Sequence, residues 1–313
     1  MFIQLSIVSP VYNEAANVAL LVDRILHVVR ETGMPFEIVL VDDGSKDGTF
    51  QAIKEISAKV PELRALSLSR NFGHQVALTA GLEHAKGEIV ITLDGDLQHP
   101  PELIPDLIAE HHKGFDIVNT IRRETADASM TKNVTAGGFY KLINLVSDVK
   151  IVPGAADFRL MSRRAVDAFL QLPERDRFTR GLISWMGFEQ SFIPYVAAKR
   201  NAGASKYTFR KMLRFAWDGI TSFSSRPLRI SFYFGLSAAL LGVVYAIYAI
   251  VNRFIGYAVD GWTSLLIVVL IMGGIQLISL GIIGEYLARV FNESKRRPLY
   301  FIKDEVRRKE DNQ

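Results

Sequence analysis

Asp94 and Asp96 stand one residue apart at the end of the apolar run Ile89-Val90-Ile91-Thr92-Leu93, with Gly95 between them and Leu97-Gln98-His99-Pro100-Pro101 following. Two carboxylates at that spacing can hold a hard divalent cation through oxygen ligands. They can equally close a strand-to-loop turn by accepting backbone N–H groups. Company decides between the two readings. Glu14 follows an apolar run that ends at Pro10, Asp42 and Asp43 follow residues 37–41, Arg70 follows residues 64–68, and Arg122 follows residues 115–120. Each lies just past an apolar segment of strand length.

Those segments must position the charges. Residues 5–9, 37–41, 64–68, 89–93 and 115–120 read as strands, and the β-branched character of 89–93 marks a strand buried on both faces. Helices are expected over about 16–31, after 49 through about 59, and after 74 to about 84, the first carrying Leu20, Leu21, Ile25, Val28 and Val29 as an apolar stripe. Strand and helix alternate, which predicts an α/β fold: a mainly parallel sheet flanked by helices, with the loops after the strands gathered at one edge. Glu14, Asp42, Asp43, Arg70, Asp94 and Asp96 then share a cleft. Acids crowded together need compensation, and a metal ion with a nucleotide and cationic side chains supplies it. No Gly-x-Gly-x-x-Gly follows a strand and no Gly-Lys-Ser/Thr is present, so dinucleotide redox chemistry and P-loop hydrolysis lose support. Either Asp of Asp42-Asp43-Gly44 can still be a turn former.

The 313 residues are 49% hydrophobic, with the apolar surplus near the C-terminus. A net charge of +4 predicts mild attraction to anionic surfaces, and no nucleic-acid partner is expected. Cysteine is absent, which excludes disulfides, thiolate catalysis and Cys-ligated zinc. The N-terminal residues lack a basic segment and read as the first strand of a cytosolic domain rather than a signal peptide. Further on, residues 162–169 and 180–185 read as short helices. Asp157, ahead of the first, is either its cap or a carboxylate held in the cleft. Arg200-Asn201-Ala202-Gly203-Ala204-Ser205-Lys206-Tyr207 is either a solvated loop or one that clamps phosphate oxygens between Arg200 and Lys206.

Residues 209–225 have the spacing of an amphipathic helix with Arg210, Lys211 and Arg214 on its polar side. Residues 230–251 and 264–284 are each long and apolar enough to cross a bilayer, the first reaching ~33 Å as a helix. Basic residues flank the pair, and the short connection carries only Arg253, which predicts that both flanks and both termini are cytoplasmic. The expected organisation is a catalytic domain over 1–208, an interface region over 209–229, two transmembrane helices over 230–284 and a basic tail over 285–313. Residues 298–313 read as a mobile or partner-contacting extension.

In order, Val8-Ser9-Pro10-Val11-Tyr12-Asn13-Glu14, Val41-Asp42-Asp43-Gly44-Ser45, Ser69-Arg70-Asn71-Phe72-Gly73 and Leu93-Asp94-Gly95-Asp96-Leu97-Gln98-His99-Pro100-Pro101-Glu102 resemble the successive motifs of glycosyltransferase family 2. With Asp157-Phe158-Arg159, Ser205-Lys206-Tyr207 and two spans, the chain is similar to the polyprenyl-phosphate glycosyltransferases of the bactoprenol glucosyltransferase and dolichol-phosphate mannosyltransferase type. It departs from the pattern at His99, where many relatives carry an acid, and at Gly95, where alanine is common.

The resemblance implies a GT-A-like fold and a single, inverting sugar transfer in the inner membrane, glucose from a UDP-linked donor to undecaprenyl phosphate. It assigns Pro10, Tyr12, Glu14, Asp42, Asp43, Arg70, Asp94 and Gln98 to the nucleotide sugar. Asp94 and Asp96 would hold Mg²⁺ or Mn²⁺. Arg122, Arg200, Ser205 and Lys206 would contact the phosphates of donor or acceptor, and Asp157 with Asp96 would form the catalytic pair, Asp157 orienting the acceptor in preference to serving as base. A separate flippase is expected, and packing glycines with a charged tail predict a homo-oligomer. Two rival readings are a processive polysaccharide synthase, whose Gln-x-x-Arg-Trp motif Ser184-Trp185-Met186 does not match, and a non-enzymatic membrane scaffold that keeps the fold.

Overall fold

The computed structural model describes residues 2–123, 152, 154–175, 177–196, 224–255 and 261–306. The chain divides into two compact units, one holding the sheet together with residues 297 onward and the other holding two long helices.

The first unit is built on eight strands: β1 (Leu5–Val11), β2 (Phe36–Asp42), β3 (Leu63–Leu68), β4 (Ile89–Thr92), β5 (Ile117–Arg123), β6 (Ala155–Ser162), β7 (Gln190–Val196) and β8 (Ile302–Val306). They lie in the order β7-β5-β6-β4-β1-β2-β3-β8. Strand β1 pairs parallel with β2 and β4, and β2 parallel with β3, so the chain emerges from all four at one edge. Every residue of β1, β3 and β4 is buried, as continuous apolar runs covered on both faces require. The covering helices are α1 (Val18–Glu31), α2 (Thr49–Ser57), α3 (His74–His84), α4 (Ile104–His111), α5 (Arg163–Leu170) and α6 (Thr179–Trp185). On α1 the buried side is Val18, Leu21, Val22, Ile25, Leu26, Val28 and Val29. Leu20, expected on that stripe, is 47% exposed.

Three strands depart from the expected pattern. Strand β6 runs antiparallel between β4 and β5, and it places Asp157 in mid-strand. Asp157 is therefore no helix cap; Ser162 caps α5, its Oγ accepting from the Ala165 N–H at 3.3 Å. Strand β7 pairs parallel with β5. Residues 302–306, expected within a mobile tail, form β8 antiparallel to β3. The Ser69 N–H donates to the Phe301 carbonyl at 2.8 Å, Lys54 reaches Asp304 at 2.5 Å, and the Tyr300 hydroxyl donates to Glu83 at 2.7 Å. At the opposite ends of the strands, fully buried Glu37 accepts from Ser6 Oγ, the Lys86 N–H and Arg64.

The second unit contains α7 (Arg226–Ile255) and α8 (Trp262–Ser294), longer at both ends than the two expected spans. Within the stretches Arg226–Asn252 and Ile267–Ser294 the mean hydropathy reaches 2.2 and 2.4 over 18 residues, and their apolar side chains are exposed. At 27 and 28 residues, each is ~40 Å long and suffices to cross a bilayer. The Tyr286 hydroxyl donates to the Ser224 carbonyl at 2.6 Å. The expected amphipathic helix lies outside the described residues over 209–223, and residues 226–229 belong to α7.

Candidate active site

Three loops at the C-terminal edge of the sheet are stitched to one another by side chains from the β1 and β2 turns. The Asn13 N–H donates to Ser45 Oγ at 2.8 Å, the Lys46 N–H to Asn13 Oδ1 at 3.0 Å, and the Glu14 N–H to Thr49 Oγ1 at 2.9 Å. Glu14 itself accepts from Asn17 Nδ2 at 2.5 Å. Asp42 is 1% exposed, and its two oxygens accept from the Ser45 N–H at 3.0 Å and Ser67 Oγ at 2.9 Å. Asp43 takes the Phe72 and Gly73 N–H groups at 2.7 and 2.9 Å, which fixes the loop after β3 and the start of α3. Burial raises the Asp43 carboxyl above its ordinary range despite those two bonds. Gly44, at φ +68°, brings the β2 turn so close to Arg70 that a Cβ there would lie 2.4 Å from the Arg70 carbonyl carbon. Arg70 is exposed, its guanidinium 4.1 Å above the Phe72 ring. Pro10 is buried beneath this edge, and Tyr12 is 43% exposed on it.

The Asp94-Gly95-Asp96 turn sits beside these loops at the end of β4. Gly95 packs so tightly that a Cβ would meet Val11 Cγ1 at 2.6 Å. Leu97 adopts φ 62°, a left-handed conformation rare for leucine, and this lets the Gln98 N–H turn back to Asp96 Oδ1 at 3.1 Å. Gln98 Oε1 in turn accepts from Arg122 at 3.3 Å, so the end of β5 reaches the same turn. His99 fills a structural role: its Nδ1 accepts the Asp94 N–H at 3.0 Å while its ring stacks on Phe158, with centroids 5.5 Å apart, and meets the edge of Tyr195 at 5.8 Å. Burial lowers the His99 pKa, and the accepted hydrogen bond places the proton of the neutral ring on Nε2. The same burial pushes the Tyr195 phenol up to about 12.

Asp157 completes the site from β6. Its Oδ1 accepts from Arg159 at 2.7 Å and from Arg180 Nε at 3.3 Å, and its Oδ2 from Arg180 Nη2 at 3.1 Å. Burial alone would raise this carboxyl, but Arg180 and then Arg159 outweigh it and hold the group well below the usual carboxylate range. Between Asp157 and the Asp94 turn stands His74, the first residue of α3, with Nε2 3.3 Å from Asp94 Oδ1 and 3.9 Å from Asp157 Oδ2. Neither His74 nor Arg180 was predicted as a site residue. Their sequence signals are only a histidine after Arg70-Asn71-Phe72-Gly73 and an arginine opening a short helix. Arg200, Ser205 and Lys206 lie outside the described residues.

Among the described residues no group of three or more His, Cys, Asp or Glu side chains forms a ready-made metal centre. The Asp94 and Asp96 pair nevertheless fits a hard cation that takes its remaining ligands from phosphate and water. Asp94 is raised above its ordinary range by burial, against the opposing pull of His99 and His74, with Asp157 and Asp96 adding to the rise. A cation held there would offset that crowding.

A mainly parallel sheet wrapped by helices, with an Asp-Gly-Asp turn on its central strand and acids collected at one edge, defines a glycosyltransferase of GT-A-like fold. The chain belongs to glycosyl transferase family 2, whose model matches residues 6–170, and the GtrB C-terminal hairpin matches residues 226–290. An uncharacterized glycosyltransferase of Synechocystis sp., sll0501, is 44% identical over 305 residues, covering 97% of this chain and 96% of its own. The bactoprenol glucosyl transferase of Shigella phage SfV is 42% identical over 303 residues, covering 96% of this chain and 99% of its own. Among solved structures, the mannosyltransferase PcManGT from Pyrobaculum calidifontis, in complex with GDP-Man and Mn²⁺, shares the fold at a TM-score of 0.50 and 18% identity, over 95% of this chain and 89% of that one.

Proposed function

We propose that the chain transfers a single glucose from UDP-glucose to undecaprenyl phosphate, or a closely similar polyprenyl phosphate, with inversion at the anomeric carbon. The observation that carries this reading is the near-full-length identity to a bactoprenol glucosyl transferase, spanning both the sheet unit and the apolar hairpin. In the reaction, an oxygen of the lipid phosphate forms a bond to the anomeric carbon as the bond to the nucleotide diphosphate breaks. The electron pair leaves with the diphosphate.

Asp94 and Asp96 would hold Mg²⁺ or Mn²⁺, which when bound neutralises charge growing on the departing diphosphate. The fold neighbour solved with GDP-Man and Mn²⁺ supports divalent-metal use. Arg122, tied to the same turn through Gln98, is placed to add a cation for phosphate oxygens. Asp157 serves as an orienting carboxylate. Its pKa is held low and both its oxygens are engaged, which makes it a poor proton acceptor, and a phosphate monoester is already ionised at neutral pH. Alignment and leaving-group stabilisation therefore carry the rate.

A polyprenyl tail leaves a bilayer only at about 0.8 kcal/mol per exposed methylene, so an enzyme using it has to work at the membrane surface. The two apolar helices suit that task, and the basic flanks support a cytoplasmic sugar-transfer unit, from which a separate flippase would carry the product across. The test is transfer of radiolabelled sugar from UDP-glucose, UDP-N-acetylglucosamine or GDP-mannose to undecaprenyl phosphate by purified protein, with Mg²⁺, Mn²⁺ or EDTA. A metal-dependent, single-glucose lipid from UDP-glucose is expected. Folded protein that yields no lipid-linked sugar, or yields a polymer, overturns the proposal.

A further inference from the structure

Tyr195 lies on β7, outside the motifs read from the sequence, yet the fold seats it against the Asp94 turn. Backbone register pairs it with Arg122 of β5, and residues paired side by side on neighbouring strands share a face. Arg122 in turn donates to Gln98 of that turn at 3.3 Å. The Tyr195 ring stands edge-on to His99, with centroids 5.8 Å apart, and to Phe158 at 6.4 Å. His99 accepts the Asp94 N–H at 3.0 Å. The neighbours of Tyr195 therefore hold Asp94 at one end of the turn and Gln98 at the other.

The side chain carries more than packing needs. Tyr195 is 5% exposed, with its ring in the core, and its hydroxyl makes no hydrogen bond among the described residues. A buried phenol ordinarily finds a partner, and phenylalanine would fill the same ring contacts without asking for one. The charges that act on this hydroxyl are those of the site: Arg122 first, then Asp94, Asp96 and Arg180. Burial, with the two carboxylates, keeps the proton on the oxygen at neutral pH, so a neutral O–H donor stands in the same setting as the Arg122 guanidinium. A ligand that suits both donors, beside two carboxylates able to share a cation, is an oxyanion that also binds metal. A diphosphate oxygen has that chemistry, whereas a sugar hydroxyl is neutral and leaves Arg122 unmatched.

We infer that Tyr195 contacts the donor, its hydroxyl donating a hydrogen bond to a diphosphate oxygen of the nucleotide sugar beside Arg122. This assignment rests on the proposed function and adds to it a residue which that reading leaves unused. Tyr195 gives up no proton. Its hydrogen bond strengthens as negative charge gathers on the departing diphosphate, so it favours the transition state over the bound donor. His99 and Phe158 fix the ring beforehand, which spares the site the ordering of a free side chain at the moment of reaction.

The test is calorimetric binding of UDP with Mn²⁺, and separately of uridine, to the full chain in detergent and to its Tyr195→Phe variant, which loses the oxygen and keeps the ring contacts. Tyr195→Phe is expected to melt within about 2 °C of wild type, to bind UDP about tenfold more weakly and to bind uridine unchanged. In sugar transfer it is expected to lose about tenfold in kcat while the donor KM moves less than about threefold, a split that lost packing does not produce. Folded Tyr195→Phe that binds UDP as tightly as wild type, or that loses uridine as much as UDP, overturns the assignment. If wild type transfers glucose and the variant matches it in both binding and kcat, the proposed function stands and the Tyr195 contact falls. Wild type whose UDP binding depends on the hydroxyl yet which transfers no sugar overturns the proposed function and leaves the diphosphate contact standing.

Discussion

Replacing Asp157 by asparagine should unfold the sheet unit more readily than it should reveal anything about chemistry. The Asp157 side chain is 8% exposed and that of Arg159 2%, so the substitution leaves a buried guanidinium without its counter-charge. Removing one partner of such a pair costs about 3–5 kcal/mol, against typically 0–1 kcal/mol for an exposed pair. For a unit of this size the expected fall in melting temperature is about 10 °C. The sign with pH is fixed by the depressed Asp157 carboxyl. Its stabilisation is complete above the unfolded value near ~3.9 and is lost only as pH falls through the lower folded value. The deficit of Asp157→Asn should therefore stay constant from neutral pH to about pH 5 and shrink only in stronger acid. Scanning fluorimetry of the detergent-solubilised full chain reads this directly. Adding Arg159→Met to Asp157→Asn removes the orphaned charge, and the double variant should recover part of the lost stability. An Asp157→Asn protein that melts within about 2 °C of wild type would refute the reasoning.

Four further outcomes follow from the same geometry. His74→Ala leaves Asp94 and Asp157 without the ring between them; kcat should fall about tenfold with little change in melting, and an unchanged kcat counts against a positioning role. Gly44→Ala combines an unfavourable φ of +68° with a 2.4 Å approach to Arg70, and should lower stability by about 2 kcal/mol or more and raise the donor KM, read by melting and by initial rates. Ending the chain after Arg297 removes β8 and should produce a lower-melting protein that aggregates on size-exclusion chromatography. Asp304→Asn should leave melting nearly unchanged, because the Lys54–Asp304 pair is 41% and 46% exposed and the edge is held by backbone pairing.

The parallel half of the fold was legible because strands buried on both faces leave continuous apolar runs, as in Ile89-Val90-Ile91-Thr92. Strand β6 was hidden because Asp157 and Arg159 interrupt the apolar pattern and their mutual pairing is invisible in one dimension. Strand β8, Ile-Lys-Asp-Glu-Val, carries three charges in five residues, as an edge strand tolerates and a sequence reading takes for solvent. The site followed the same division. Residues just past strand ends could be placed at one edge by topology, so Asp42, Asp43, Arg70 and the Asp94 turn were found together, and Arg122 proved to be tied to that turn through Gln98. The Asx-type bonding of Asp43 to the loop of Phe72 and Gly73, the His74 bridge and the arginine pair on Asp157 depend on which loops touch, and spacing along the chain carries no record of that.

The position of β8 bears on how the protein is made. Synthesis delivers β3 early, but its pairing partner emerges only after both apolar helices have left the ribosome. Until then the sheet carries an open edge from Leu63 to Leu68, ready to pair with any extended segment that reaches it first. The nascent sheet is therefore finished last at the strand beside the Arg70 loop. That leaves the Leu63–Leu68 edge open from the first apolar helix until the final residues of β8, so both long helices must be delivered before the sheet is complete.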